Sequence, residues 1–420
     1  MKHLYKRETY LKRIRPFYKE CELIKVIAGV RRCGKSSLME LIMDELIEDG
    51  VSESNILHLN LDKRPFRKVK TSDQLDDLIA QATSNVEGVK YLFIDEVQNV
   101  SGFEEVINSF REEGDYSIFI TGSNSYLLSG DLATKLTGRY IQIDMNTLSF
   151  CEYIEMKRFF NKPIDNDYEK ELSNYILEGG FPLAVKFDTF EEKRIYVRNV
   201  IDEIYEKDVK PNNKIRNKHL FDQVKTYIIN NFGAKTSVKA LCDYFEKVNG
   251  TKPSTETIYN YLDILEKVKI ISKCQRFDLK SKRSLNGEEK YYLTDLSFYF
   301  VTQTDNRINY GPVLENIVYN YSKMVGYQAS IGKIGDLEID FILRDEMENN
   351  YSYVQVAKTI DNGVYDKNGK LVTEEREYRP LEKIRDGYPK YLLTLDKLFQ
   401  RRSGVKHLNI IDFIIQHQRF

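Results

Sequence analysis

Short apolar runs alternate with amphipathic ones through the first third of the chain, and each apolar run ends in glycine or polar residues. Val26-Ile27-Ala28 is the first, a strand pattern closed by Gly29, and Ser37–Glu48 follows with apolar positions at helical spacing. Asn55–Asn60 reads as a second strand and Leu75–Ala82 as a helix. Tyr91–Ile94 is continuously apolar, as in a strand covered on both faces, and stops at Asp95-Glu96. Phe103–Glu112 is amphipathic, and Ser117–Thr121 is another buried strand that runs into G-S-N-S. Strand alternating with helix predicts an α/β fold with a doubly wound parallel sheet, its ligand at the carboxyl ends of the strands. Ahead of it, Tyr10, Leu11, Ile14 and Phe17 recur at near-helical spacing. They predict a helix laid on this domain; a DNA-contacting arm is the alternative.

The pattern then changes. Tyr168–Leu177 and Phe190–Lys207 read as helices, interrupted by the stop and restart Gly179-Gly180-Phe181-Pro182. Residues 207–213 (K-D-V-K-P-N-N) have the composition of a linker. Three further helices are expected at His219–Phe232, Val238–Lys247 and Ser254–Lys267, the last with a capping-box start at Ser254 or Thr255. Two strands then flank the basic loop L-K-S-K-R-S-L-N-G. Three helices and a hairpin have the look of a winged helix, with Ser254–Lys267 as recognition helix and Lys280, Lys282 and Arg283 near phosphates. The alternative is an interaction module with a solvated loop, and Glu256, Asp263 and Glu266 on the recognition helix are poor for DNA.

Composition narrows this picture. The 41% hydrophobic and 30% charged residues are those of a globular chain with room for two or three domains. With 63 Lys+Arg against 64 Asp+Glu, any nucleic-acid surface must be a local patch. No apolar run is long enough to span a bilayer, and the basic N-terminus lacks a signal peptide's apolar core, so no membrane partner is expected. The five cysteines, Cys21, Cys33, Cys151, Cys242 and Cys274, form no C-x-x-C pair. Neither a zinc site nor a disulfide framework is indicated, and a reduced cytoplasmic setting fits best.

The chemistry concentrates at the first turn. Gly29-Val30-Arg31-Arg32-Cys33-Gly34-Lys35-Ser36 has the spacing G-x-x-x-x-G-K-S of a P-loop between a strand and a helix. Its glycines let the backbone approach an anion, and the N–H groups and the following helix, from Ser36-Ser37 on, face phosphates. Lys35 would reach the β/γ-phosphates of ATP, and the Ser36 hydroxyl would ligate Mg²⁺. Asp95, at a strand's carboxyl end, would also hold Mg²⁺, and Glu96 would polarise the attacking water. Arg31 and Arg32 would contact either phosphates or a partner domain.

Together G-V-R-R-C-G-K-S-S-L, F-I-D-E-V-Q, I-T-G-S-N-S, T-G-R-Y, L-S-F-C-E-Y, Y-I-L-E-G-G-F-P and Y-P-K-Y-L-L-T-L-D resemble a group of prokaryotic AAA+-superfamily ATPases. The likeness covers nearly the whole chain. It implies a P-loop ATPase domain over residues 1–150, a helical lid over 151–212, the winged-helix-like segment over 213–300 and a restriction-endonuclease-like α/β domain over 301–420. It also implies a γ-phosphate sensor among Thr121, Ser123 and Asn124, for which the alternative is a helix cap. Arg139 would be an arginine finger for its own or a neighbouring subunit's phosphate; the alternative is a structural ion pair. Oligomerisation and a protein partner would accompany such a role.

In the last segment, Glu315, Asp340 and the strand with Gln355 and Lys358 have the look of a nuclease centre. Gln355 stands where a second carboxylate is needed, and Lys358 is one residue out of step, on the other face of a strand. Both departures predict a degenerate nuclease-like domain, its cleavage lost and its fold kept for recognition or assembly. The expected function is a Mg²⁺-dependent ATPase that switches C-terminal DNA- or protein-recognition modules. The alternatives are an ATP-regulated nuclease in defence or repair and a non-hydrolysing nucleotide-dependent scaffold.

Overall fold

The computed structural model describes residues 3–122, 136–211, 213, 215–302, 307–345, 348–361, 363–365 and 371–420. By its contacts the chain divides into two compact units. The first comprises Met1–Thr147, Asp202–Lys214 and Lys267–Lys269; the second comprises Leu148–Ile201, Ile215–Glu266 and Ile270–Phe420. The four consecutive segments expected from sequence are therefore not the compact units: stretches remote in sequence join the first one.

In the first unit, α1 (Glu8–Ile14) precedes β1 (Ile24–Gly29), α2 (Lys35–Glu48), β2 (Ile56–Asn60), α3 (Ser72–Thr83), β3 (Lys90–Asp95), α4 (Phe103–Glu113), β4 (Tyr116–Thr121) and β5 (Tyr140–Met145). Among the described residues the strands form one sheet in the order β2-β3-β4-β1-β5. Every pairing is parallel. All six residues of β1 are buried, as its central place demands. Ile24, Val26, Ala28, Leu92, Ile94, Ile118 and Ile120 pack with Leu75 and Ile79 of α3 and Phe103 and Ile107 of α4. On the other face Phe93 stacks on Phe119 with ring centroids 4.5 Å apart. Tyr10, Leu11 and Ile14 of α1 are fully buried, so that helix packs against the unit.

The stretch 202–214 corrects the linker expectation. The helix starting at Phe190 passes at Ile204 into a π-helix, Tyr205–Val209, and Asp208 and Val209 are buried. A charged, proline-bearing stretch looks solvated in sequence; here its buried carboxylate is matched by an arginine of the P-loop.

The second unit contains α5 (Phe150–Phe159), α6 (Tyr168–Glu178), α7 (Phe190–Ile204, to Ile201), α8 (Lys218–Asn230), β6 (Lys235–Thr236), α9 (Val238–Asn249) and α10 (Thr255–Lys267, to Glu266). These are followed by β7 (Ile271–Asp278), β8 (Arg283–Leu293), α11 (Ser297–Thr302), α12 (Tyr310–Met324), β9 (Tyr327–Ile334), β10 (Leu337–Asp345) and β11 (Asn350–Val356). The chain ends with α13 (Val372–Glu382), β12 (Lys390–Thr394), β13 (Arg401–Arg402), β14 (Val405–Asn409) and α14 (Ile410–Ile415). One sheet runs β13-β14-β12-β11-β10-β9-β7-β8-β6. It crosses the boundary expected at residue 300, because β7 pairs in parallel with β9. The basic loop is shorter than expected: Arg283 already opens β8, leaving Leu279–Lys282 as the turn. Ser254 caps α10 by accepting the Thr257 N–H at 3.1 Å, and position 257 carries no Glu to complete a capping box.

Candidate functional site

The site forms where β1, β3 and β4 end at the carboxyl edge of the parallel sheet. Gly29 closes β1 with φ 154°, and a Cβ there would lie 2.3 Å from the Met145 carbonyl oxygen at the end of β5. No side chain fits so close to a neighbouring backbone. Gly34, with φ 108°, is the residue immediately before α2. The loop between them thus delivers the backbone to the N-terminus of a 14-residue helix, whose unpaired N–H groups favour an anion. Lys35 is buried and donates from Nζ to its own loop, to the carbonyls of Gly29 at 3.0 Å and Val30 at 3.3 Å. Ser36 and Ser37 are exposed on the first turn of α2, while Val30 and Cys33 are buried beneath the loop.

Opposite the loop, three neighbouring strands end in polar side chains. Asp95, on β3, is 1% exposed and accepts from Asn60 Nδ2 on β2 at 2.7 Å and from the Thr121 hydroxyl on β4. The Thr121 hydroxyl in turn accepts the Glu96 N–H at 3.2 Å. Glu96 takes φ 59°, a left-handed conformation uncommon outside glycine, and its carboxylate accepts from Gln98 Nε2 at 2.5 Å. That turn separates the two acids: Asp95 points into the strand-end network and Glu96 leaves it. A buried carboxylate with two donors is held in one orientation, the requirement for a metal-directed ligand. The donor set suits Mg²⁺: oxygen ligands on Ser36 and Asp95, with no soft ligand in the network.

Sequence reasoning missed Asn60, although a polar residue ending the run I-L-H-L-N was the available signal. It also missed Arg7. That guanidinium is 4% exposed and donates to the carbonyls of Cys33 at 3.2 Å, Asn146 at 2.8 Å and Thr147 at 3.2 Å, tying the P-loop to the end of β5. Ser123 and Asn124 lie outside the described residues.

Arg31 and Arg32 face the π-helix. Arg31 forms a two-pronged pair with Asp208, Nε–Oδ2 at 3.0 Å and Nη2–Oδ1 at 2.8 Å. Arg32, with φ 68°, does the same with Glu203, at 3.0 and 3.2 Å. Burial by itself would make the Arg31 guanidinium less basic; the hydrogen bonds and charge of Asp208 outweigh it and raise its pKa.

Arg139 is not brought to this site. β5 runs parallel to β1 with Tyr140 beside Ile24 and Met145 beside Gly29. Arg139 therefore lies at the N-terminal edge of the sheet, about 20 Å from the P-loop at ~3.3 Å per residue. There it donates to Asn108 Oδ1 at 3.1 Å and pairs with Glu112 at 3.6 Å. A finger acting on its own phosphate is excluded by that distance.

The acidic residues of the second unit do meet. The Lys290 ammonium lies 2.9 Å from Glu315, 3.3 Å from Glu338 and 3.9 Å from Asp340. Asp340 accepts the Val356 N–H at 2.8 Å, while Gln355 bridges the Asp340 N–H to Glu377. Burial, then the charge of Glu315, pushes the Asp340 carboxyl well above the usual range. Lys358 falls beyond the end of β11 and sits over the Tyr310 ring at 4.4 Å. Among the described residues no group of three or more His, Cys, Asp or Glu is arranged to hold a metal, and no helix is long and apolar enough to cross a membrane.

A glycine loop feeding a helix, with a buried Asp and an adjacent Glu at the end of the next strand but one, is the arrangement of a P-loop domain, and the AAA domain family matches residues 22–154. Residues 169–305 match a domain of unknown function (DUF8612). An uncharacterised protein of Haemophilus influenzae is 31% identical over 417 residues, 99% of this chain and 100% of that one. Protein MJ1544 of Methanocaldococcus jannaschii, also uncharacterised, is 30% identical over 369 residues, 86% of this chain and 78% of that one. The chain belongs to the family that these relatives represent, with an AAA domain at its N-terminal end. Among solved structures, the Walker-type ATPase PABY2304 of Pyrococcus abyssi aligns with a TM-score of 0.50 at 16% identity, covering 71% of this chain and 95% of that one, a likeness of fold.

Proposed function

We propose that this chain binds ATP and hydrolyses its β–γ phosphoanhydride bond with Mg²⁺. The observation that carries the reading is the Asn60–Asp95–Thr121 network with Glu96 turned out of it, at the same sheet edge as the P-loop. The P-loop amides and Lys35 would bind the phosphates, once the Lys35 ammonium exchanges the carbonyls of Gly29 and Val30 for phosphate oxygens. Ser36 and Asp95 would hold Mg²⁺, which when bound neutralises charge on the β- and γ-phosphates. Glu96 would accept the proton of the attacking water, and Thr121, bonded to the Asp95 carboxylate and to the Glu96 N–H, would sense whether the γ-phosphate is present. Phosphate release by the full chain is the test. Wild type should release phosphate, Lys35→Ala should not bind ATP, and Glu96→Gln should bind it but lose about 10²-fold or more in turnover. Equal turnover by wild type and Glu96→Gln would remove the role given to Glu96.

A finger role for Arg139 would have to be played in a neighbouring copy, since its own P-loop is out of reach. In the second unit, the order helix, strand, two helices, two strands over residues 218–293 supports a winged-helix-like module. Lys280, Lys282 and Arg283 are exposed at its turn and would lie near DNA phosphates. ATP turnover would switch this module and the nuclease-like sheet behind it. Cleavage by the latter is disfavoured, because Lys290 places an ammonium among the very carboxylates that a metal would need.

A further inference from the structure

Phosphoryl transfer needs a cation beside the γ-phosphate. Arg139 lies a strand's length from the P-loop. Arg31 lies within it, and its partner Asp208 is 177 residues further on. We propose that Asp208 is a positioning residue that holds Arg31 as the chain's own γ-phosphate cation beside Glu96; this rests on the ATPase reading.

The geometry around Asp208 carries it. Asp208 is 4% exposed, and its two oxygens take the Nε and Nη2 donors of Arg31 in the fork geometry that fixes a guanidinium plane. The pair should survive nucleotide binding, because two parallel charge-assisted hydrogen bonds to a buried carboxylate are costly to break. The third nitrogen, Nη1, is left for another acceptor: its nearest charged neighbour is Glu203 at 4.0 Å, beyond hydrogen-bond distance. The Glu96 carboxylate also acts on the same guanidinium through its charge. Arg32 differs. It is exposed, and its pair with Glu203 is open to solvent and cheap to break. The segment 202–214 belongs to the nucleotide unit on this account because it carries the group that aims a phosphate ligand, and its π-helix sets Asp208 in place.

The test compares ATP with ADP, since a γ-phosphate ligand contributes only to the first. Affinities of both would be measured calorimetrically on the full chain for wild type, Arg31→Ala, Asp208→Asn and the double variant, with thermal melting alongside. Arg31→Ala and Asp208→Asn should each lower the ATP-over-ADP preference on the order of tenfold and leave ADP affinity unchanged. The double variant should be no worse than Arg31→Ala, because Asp208 acts only through Arg31. Arg31→Lys, which keeps the charge and loses the fork, should behave as Arg31→Ala; this variant stands in should Asp208→Asn fail to fold. The proposal is overturned if Asp208→Asn or Arg31→Lys keeps the wild-type preference, if the two single effects multiply, or if ATP and ADP weaken equally. It also fails if wild type shows no preference for ATP. Absence of phosphate release with the preference and its loss intact would instead overturn the hydrolytic reading alone.

Discussion

At the scale of single residues, two buried lysines outside the P-loop, Lys25 and Lys290, make opposite demands. Lys25, on β1, donates to the carbonyls of Glu20 at 2.6 Å and Leu23 at 3.1 Å and to Ser117 Oγ at 2.8 Å, with no carboxylate among these acceptors. Burial pushes its pKa from the usual 10.5 down to about 7. Between those values the unfolded chain binds a proton that the folded chain does not, so this group makes stability rise with pH, by at most about 1.4 kcal/mol per unit, and is level below pH 7. Urea denaturation at pH 7, 8 and 9 should show that rise in wild type and lose it in Lys25→Met; parallel curves would refute the assignment. Lys290 is instead surrounded by acids. Lys290→Met should cost about 3–5 kcal/mol at pH 8 by stranding Glu315, Glu338 and Asp340. Those acids would then bind protons more tightly folded than unfolded, so the loss should shrink as the pH falls towards 5, in the same denaturation measurement. Such residues were legible only in part. Lys35, Ser36, Asp95 and Glu96 announced themselves through local spacing, because strand, turn and helix are set within a few residues. Asn60, Arg7 and Asp208 did not, because each gains its meaning from a partner at least 26 residues away.

At the scale of elements, the run G-G-F-P was read as a helix stop, and the stop is also a junction. Gly180 donates its N–H to Asp295 Oδ2 at 2.8 Å, and its carbonyl accepts the Leu148 N–H at 2.7 Å. A Cβ on Gly180 would lie 2.2 Å from the Leu148 carbonyl oxygen, a backbone atom that cannot step aside. Gly180→Ala should therefore destabilise the second unit by about 3 kcal/mol, seen as a lower melting temperature, while ATP affinity of the first unit holds. A melt unchanged from wild type would show that the junction tolerates a side chain. The same comparison explains how the elements were readable. Apolar strands and amphipathic helices up to Thr121 matched to within a few residues, since their pattern is dictated by one buried sheet. The π-helix at Tyr205–Val209 was missed because its acids and lysines have the pattern of a solvated helix or linker, and the pairing of buried Asp208 with the distant Arg31 is invisible to local pattern.

At the scale of the whole molecule, the open matter is whether copies complete one another. Arg139 is exposed at the sheet edge remote from its own P-loop. If it serves a neighbour, Arg139→Ala and Lys35→Ala should each be inactive alone, and their mixture should recover phosphate release, since the first brings an intact P-loop and the second an intact finger. A mixture as inactive as its components would leave Arg139 with its structural pair to Glu112.

The sequence by itself determined the local chemistry: a P-loop between strand and helix, an Asp-Glu pair ending a buried strand, and an alternation that can only be a parallel sheet. Those follow from backbone geometry and from periodicity, which act over a handful of residues. Only the tertiary structure decided which strand ends stand side by side, that Arg139 faces away from its own phosphate site, and that Arg31 meets Asp208. Those are contacts between residues far apart in the chain. Strand order and burial choose them, and no local pattern encodes strand order.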